Sequence, residues 1–284
     1  PSGSDGWRRV LCAALGEPYP GSDLPAGVRP PDVISISWGS SERPMRAELE
    51  ALHHVLELAR ARGITVCCST GDYGVANAWD DCSAANVNFP ASSPAVLACG
   101  GTRLLSDGGR IVGEEGWSED LAGSPMASGG GMSGFFRRPE WQPDPNVAPV
   151  PLTWLARVEG SSFDGRWIPD VAASAAFDCG PAFVLGGTRL VAGGTSCATP
   201  IWAALLAHVT ARVGHPLSDL APWLASRAGT DGTTDVTTGS NAGCSELSFY
   251  ESGAGWDAVT GWGTPDGERL LAALTASVPE SNEG

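Results

Sequence analysis

The chain has 284 residues, 42% of them hydrophobic, with 38 Gly and 22 Pro; it is long enough for a sizeable core and rich in turn formers, which suggests one loop-rich domain over residues 1–284. The formal net charge is −15 and all 17 basic residues are Arg, with no polybasic patch or basic helix, so neither nucleic acid nor anionic lipid is the expected partner. No apolar run approaches the ~20 residues of a membrane span, and the modest 17% of charged residues limits self-repulsion when carboxylates protonate, which is compatible with work in acid.

The chain opens on Pro1, with no Met and no basic-then-apolar leader, and so reads as a processed or truncated piece. The run Val33-Ile34-Ser35-Ile36-Ser37 predicts a short strand ending at Trp38-Gly39. Ser41 and Pro44 then start a helix, in which Met45, Leu49, Leu52, Leu56 and Ala59 share one face and which Gly63 stops. A second strand, Ile64 to Ser69, follows at once and runs into Thr70-Gly71-Asp72-Tyr73-Gly74. Strand, helix and strand with short joins predict a right-handed crossover in a parallel sheet, whose strand ends would present Trp38 and Asp72. Asp in a Gly-Asp-x-Gly loop is also a common turn former, and Trp after a strand is often packing.

Ala95 to Cys99 reads as another short strand, and Arg110 to Trp117 as an edge strand or hairpin. Ser128 to Ser133, with three consecutive glycines, is either a flexible connector or a loop that lets a peptide backbone approach. Pro139 to Pro151 reads as an exposed connection. Ile168 to Ala172 enters a strand, and Phe183-Val184-Leu185 with Leu190-Val191 predicts a hairpin turning on Gly186-Gly187-Thr188. That hairpin delivers the chain to Gly193-Gly194-Thr195-Ser196-Cys197-Ala198-Thr199-Pro200 and a helical run that is apolar nearly all round through Leu206 and so is expected to be the buried central helix. Ser196 at a helix start is either an N-cap or a nucleophile, since free N–H groups and the helix dipole there favour a developing negative charge. Pro200 is expected in the first turn, where its missing N–H costs little.

Eight cysteines carry no CxxC or Cys/His spacing for zinc. Cys67 and Cys68 are expected on opposite faces of a strand, while Cys82, Cys179 and Cys244 lie in loop-like sequence where pairing is more expected. Near the end, Asp235-Val236 and Gly253 to Asp257 bracket a loop in which carboxylates and carbonyls converge, a hard-oxygen set that suits Ca2+ or is simply solvated.

Seven motifs, taken together, occur in the order found in the sedolisins, the serine-carboxyl peptidases. They are SISWG ending at Gly39, TGDYG ending at Gly74, FPASSP ending at Pro94, GGGMS ending at Ser133, PDVA ending at Ala172, GGTSCATP ending at Pro200 and GWDAVTGWG ending at Gly263. The resemblance runs from about Trp7 to Leu274. It implies an α/β, subtilisin-like fold, a three-layer parallel sheet flanked by helices with a C-terminal calcium-binding loop region. It also implies an acid-active, secreted endopeptidase or tripeptidyl-peptidase acting on a polypeptide substrate.

Position by position, Ser196 matches the nucleophile, and Asp72 the carboxyl that forms the oxyanion hole with the Ser196 N–H. Asp235 and Asp257 match the side-chain calcium ligands, and Val236, Gly253 and Gly255 the carbonyl ligands. Trp38 matches a tryptophan bonded to the carboxylate network. The family's basic Glu and the Asp behind it lie upstream of SISWG, farther than the 37 residues present. Asp5, Glu17 and Asp23 are out of register, and Glu48 and Glu57 fall on the next helix, which the family does not use. Two expectations follow. Either the chain is the C-terminal part of a peptidase whose N-terminal segment or propeptide is a separate partner, or it is a noncatalytic relative that binds peptide or serves a structural role. An α/β-hydrolase esterase is disfavoured, because Gly194-Thr195-Ser196-Cys197-Ala198 lacks the second glycine of a GxSxG elbow. A histidine-based subtilisin triad is disfavoured too, since none of the four His has a His-Gly-Thr setting.

Overall fold

Short apolar runs that fully bury, alternating with helices that bury one face, dictate a sheet covered on both sides. A computed structural model describes residues 4–18, 29–45, 48–77, 82, 84–145, 147–150, 163–243 and 247–276. In chain order the main elements are α1 (Ser4–Ala14), β1 (Val33–Ile36), α2 (Leu49–Ala61), β2 (Thr65–Ser69), β3 (Leu97–Asp107) and β4 (Arg110–Gly116). They continue with β5 (Gly131–Arg137), β6 (Gly165–Ile168), β7 (Val171–Ser174), β8 (Ala182–Leu185), β9 (Thr188–Val191), α3 (Thr195–Val213), α4 (Leu220–Ser226) and α5 (Gly267–Ala276).

Strands β1, β2, β3 and β7 pair in that order and all in parallel, and β4 folds back antiparallel along β3. Because side chains alternate along a strand, β2 feeds two cores. Val66 and Cys68 pack with Leu11, Leu49, Leu52 and Leu56 of α1 and α2, whereas Cys67 packs with Trp202, Leu206, Leu270 and Leu274 of α3 and α5. The sheet is therefore the middle of three layers, a subtilisin-like α/β arrangement, and the two adjacent cysteines face opposite ways as their spacing predicts.

The departures from expectation have identifiable causes. The helix expected from Ser41 onward is two pieces, Glu42–Met45 and Leu49–Ala61. Glu42 is buried at 1% exposure, and its carboxylate receives the Ser133 hydroxyl and the Gly134 N–H, which fixes the first turn in place. The stretch from Pro139 is not a wholly exposed connection. Gln142 is buried and grips Trp167 through both backbone groups, and Val150 N–H donates to the Tyr250 hydroxyl. Its end, Pro151, lies outside the described residues. The helix bearing Ser196 is central but buries one face: Trp202, Leu206 and Val209 pack in the core, while Ala204, within the apolar run, is exposed, as are Ala207 and His208 beyond it. Of the loop cysteines, Cys82 is disulfide-bonded and Cys179 is a free thiol, which corrects the expectation for Cys179; Cys244 lies outside the described residues. Cys179 instead accepts the Leu104 N–H at 3.3 Å. Among the described residues no helix is long and apolar enough to cross a membrane.

Candidate active site

The carboxyl ends of β1 and β2 deliver Ser37-Trp38 and Gly71-Asp72 to one edge of the sheet, and the β8–β9 hairpin returns the chain to the same edge at Gly194. There α3 begins. Gly194 is its N-cap at φ 83 and ψ 163, a conformation that only glycine adopts freely. A Cβ at Gly194 would also stand 2.6 Å from Asp72 Oδ2.

The first turn of a helix leaves amides without intrahelical partners. Thr195 N–H donates to Asp72 Oδ1 at 2.7 Å, and Cys197 N–H donates to the Gly194 carbonyl at 2.9 Å. Ser196 N–H, between them, has no such partner among the described residues and sits where the helix dipole favours an anion. Pro200 is the sixth residue of the helix rather than part of its first turn, so its missing N–H orphans a carbonyl, that of Ser196. The Ser37 hydroxyl takes that place, donating to the Ser196 carbonyl at 2.9 Å, while Ser196 Oγ reaches back to the Ser37 carbonyl at 3.4 Å. The end of β1 is thus pinned to the residue that bears the candidate nucleophile.

Asp72 follows Gly71, whose φ of 100 and whose contact with Asn77 leave no room for a side chain. Its own carbonyl accepts the Ala127 N–H, and the Gly71 carbonyl accepts the Gly129 N–H, so two backbone bonds hold the loop. Asp72 Oδ1 accepts both the Thr195 N–H and, at 2.8 Å, the Thr195 hydroxyl. That hydroxyl in turn accepts the Gly71 N–H at 3.0 Å. Burial pushes the Asp72 carboxyl above its ordinary value, and the two Thr195 bonds oppose that rise. With Oδ1 committed as an acceptor, a protonated Asp72 carries its proton on Oδ2, the oxygen beside Gly194. Asp72, 124 positions before Ser196 by number, is therefore held against Thr195, the residue next to Ser196.

Trp38 stacks on Trp7 with ring centroids 4.4 Å apart, which ties α1 to the end of β1. The glycine triplet is explained by packing: a Cβ at Gly129 would lie 2.2 Å from the Thr70 carbonyl, and one at Gly130 would lie 1.9 Å from that of Ala258. His53 lies 2.9 Å from Ser93 Oγ and 3.5 Å from Glu57, but Ser93 is fully buried, so that Ser–His–Glu grouping has no reach to a substrate. Sequence reasoning missed Thr195 and Ser37 as parts of the site. The signal for Ser37 was present, since a proline four residues after Ser196 foretells an orphaned Ser196 carbonyl. Thr195 carried no signal, because its partner Asp72 is fixed only by the tertiary fold.

The C-terminal loop gathers the predicted oxygen donors. Asp235 Oδ2 accepts the Gly255 N–H at 2.8 Å, and Asp257 Oδ2 accepts the Gly253 N–H at 3.1 Å, so one short loop spans both carboxylates. Val236, beside Asp235, is buried. Asp257 is also buried, accepts the N–H groups of Val259 and Thr260, and has its carboxyl pushed up to about 6, mainly by burial. A buried carboxylate held only by neutral donors, with an exposed second carboxylate on a neighbouring segment bonded to the same loop, is a donor set that suits a hard divalent cation. No cluster of three or more His, Cys, Asp or Glu exists among the described residues, so carbonyls would complete any coordination.

Comparison with known proteins matches residues 25–238 to the Subtilase family. The chain is 38% identical to kumamolisin from Bacillus sp. (strain MN-32), over 88% of its own length and 44% of that protein's. It is 31% identical to human tripeptidyl-peptidase 1, over 86% of its length and 43% of that protein's. It therefore spans less than half the length of these curated relatives. Among solved structures it superposes on Pseudomonas sedolisin, a serine-carboxyl proteinase complexed with two molecules of pseudo-iodotyrostatin, with a TM-score of 0.77 and 29% identity, covering 98% of this chain and 71% of that one.

Proposed function

Since the chain belongs to the subtilase family, in its sedolisin branch, we propose that it carries the nucleophile and oxyanion-binding half of an acid-active serine peptidase acting on polypeptides. The observation that carries this reading is the grip of Thr195 on Asp72 at the start of the helix that bears Ser196. Ser196 Oγ attacks the carbonyl carbon of the scissile bond, and the oxygen that becomes negative is received by Ser196 N–H and the Asp72 carboxyl. A carboxyl donates a hydrogen bond only while protonated, and an ionised one would repel the intermediate. Acid is thus a demand of the chemistry, and the raised Asp72 value extends the range in which the proton is held.

The proton leaving Ser196 Oγ needs a base, and the described partner of that oxygen is the Ser37 carbonyl, which cannot serve. We assign the base to a carboxylate outside the described residues, supplied by an adjoining segment or a separate chain. Asp235 and Asp257, with the carbonyls of Val236, Gly253 and Gly255, would hold a calcium ion that braces the loop against β7, where the Gly261 and Trp262 backbone lies on Asp170. Calcium would supply charge neutralisation for the two carboxylates and take no part in bond breaking. The disulfide at Cys82 supports an extracellular setting.

The test is cleavage of an unfolded protein substrate at about pH 4 and about pH 7, by this chain alone and by the chain expressed with the coding sequence that adjoins it. Little activity from the chain alone, and acid-dependent cleavage by the longer form that Ser196→Ala abolishes, is the expected result. Silence in every form would favour a peptide-binding or structural role instead.

A further inference from the structure

Resting on the reading of Asp72 as the oxyanion donor, we infer that Thr195 is a positioning residue that decides which carboxyl oxygen of Asp72 carries the proton, through a relay running from Gly71 N–H to the Thr195 hydroxyl and on to Asp72 Oδ1. The geometry fixes the sense of the relay. Thr195 is fully buried, and its hydroxyl has one hydrogen to give and receives the Gly71 N–H at 3.0 Å, so it turns that hydrogen to Asp72 Oδ1 at 2.8 Å. The Thr195 N–H reaches the same oxygen at 2.7 Å. Two donors converging on Oδ1 make it the acceptor oxygen in either charge state, and Oδ2, lying against Gly194, is left to bear the proton.

A valine in place of Thr195 keeps the shape and the backbone donor but removes the hydroxyl. Oδ1 then has one donor, Gly71 N–H loses its acceptor, and nothing on α3 beyond the backbone distinguishes the two oxygens. Neither a serine cap nor a packing role predicts this, because Thr195→Ser restores the relay while giving up the methyl group. Among the described residues, a titratable group beside Asp72 is the thiol of Cys197, which is partly buried and held above its ordinary value by burial, with Asp72 adding to that effect. It remains neutral through the acid range and does not compete.

The test is an NMR titration of the full chain from about pH 3 to 8, following the carboxyl carbon of Asp72 and the amides of Thr195 and Gly71. In the unaltered protein, both amides are expected to shift with the midpoint of the Asp72 carboxyl, Gly71 through the hydroxyl. In Thr195→Val the carboxyl midpoint moves upward and the Gly71 amide no longer follows it; Thr195→Ser recovers both. An unmoved midpoint in Thr195→Val, or a Gly71 amide that stays silent while Asp72 titrates in the unaltered chain, overturns the relay. The second readout stands even where Thr195→Val fails to fold. Neither requires turnover, so failure here is distinct from failure of the peptidase reading.

Discussion

At the scale of single residues, the site is a set of small groups placed where larger ones cannot go. Gly194 is the sharpest case, because its φ of 83 strains any side chain and a Cβ would press on Asp72 Oδ2 at 2.6 Å. Gly194→Ala is expected to cost about 1–3 kcal/mol in urea unfolding and to push Asp72 away from Ser196; an unchanged unfolding midpoint would contradict this. Ser196 and Asp72 were both legible in the sequence as candidates, because each lies in a glycine-containing turn after a predicted strand or hairpin. Their mutual arrangement was not, since Thr195 is an unremarkable helix starter until the fold brings Asp72 to it. The same holds for Glu42 and Gln142, buried polar residues whose partners Ser133 and Trp167 lie far along the chain. A charged or amide side chain reads as exposed from composition, and only its tertiary partners reverse that.

At the scale of elements, the β1–α2–β2 crossover was legible because its apolar spacing changes cleanly between strand and helix periods. The buried face of α3 was overestimated, since Ala204 is apolar in sequence but exposed in the structure. What the helix needs is narrower. Pro200 removes the amide that would close the turn on Ser196, and Ser37 supplies the donor from β1. Ser37→Ala is expected to destabilise the chain by about 0.5–1.5 kcal/mol. In a Pro200→Ala background, where the helix recovers its own amide, the same change should cost markedly less. Urea unfolding of the two single variants and the double variant measures this coupling. Equal cost in both backgrounds would show that Ser37 is not standing in for the lost helix bond.

At the scale of the whole molecule, the three layers, with cores on both faces of the sheet, hold two proposed sites, whose buried carboxyls, Asp72 and Asp257, respond to protons with the same sign. For Asp257 the folded value of about 6 lies above its ordinary carboxylate value, so the folded state binds the proton more tightly than the unfolded chain. Its contribution is fully present below the unfolded value and is lost as pH rises through about 6, with a ceiling on the order of 3 kcal/mol. A chelator-treated sample should therefore be more stable at about pH 5 than at about pH 7, and Asp257→Asn should flatten that slope. Added calcium should stabilise most at the higher pH, where the carboxylate is ionised. Thermal melts across pH with and without calcium check this, and a calcium effect that is absent, or that survives Asp235→Ala with Asp257→Ala, would contradict the ligand set. The proposed nucleophile and oxyanion donor are tested most directly by the affinity of this chain for a peptide aldehyde. Ser196 Oγ adds to it reversibly to give a hemiacetal, the Oγ proton passing through solvent to the adduct's hydroxyl so that no net proton acceptor is consumed. Binding that is tight in acid, weakens as pH rises through the Asp72 titration, and is lost in Ser196→Ala and about 100-fold or more weaker in Asp72→Ala is the predicted result. Binding indifferent to Ser196, or unchanged across the pH range, would contradict it.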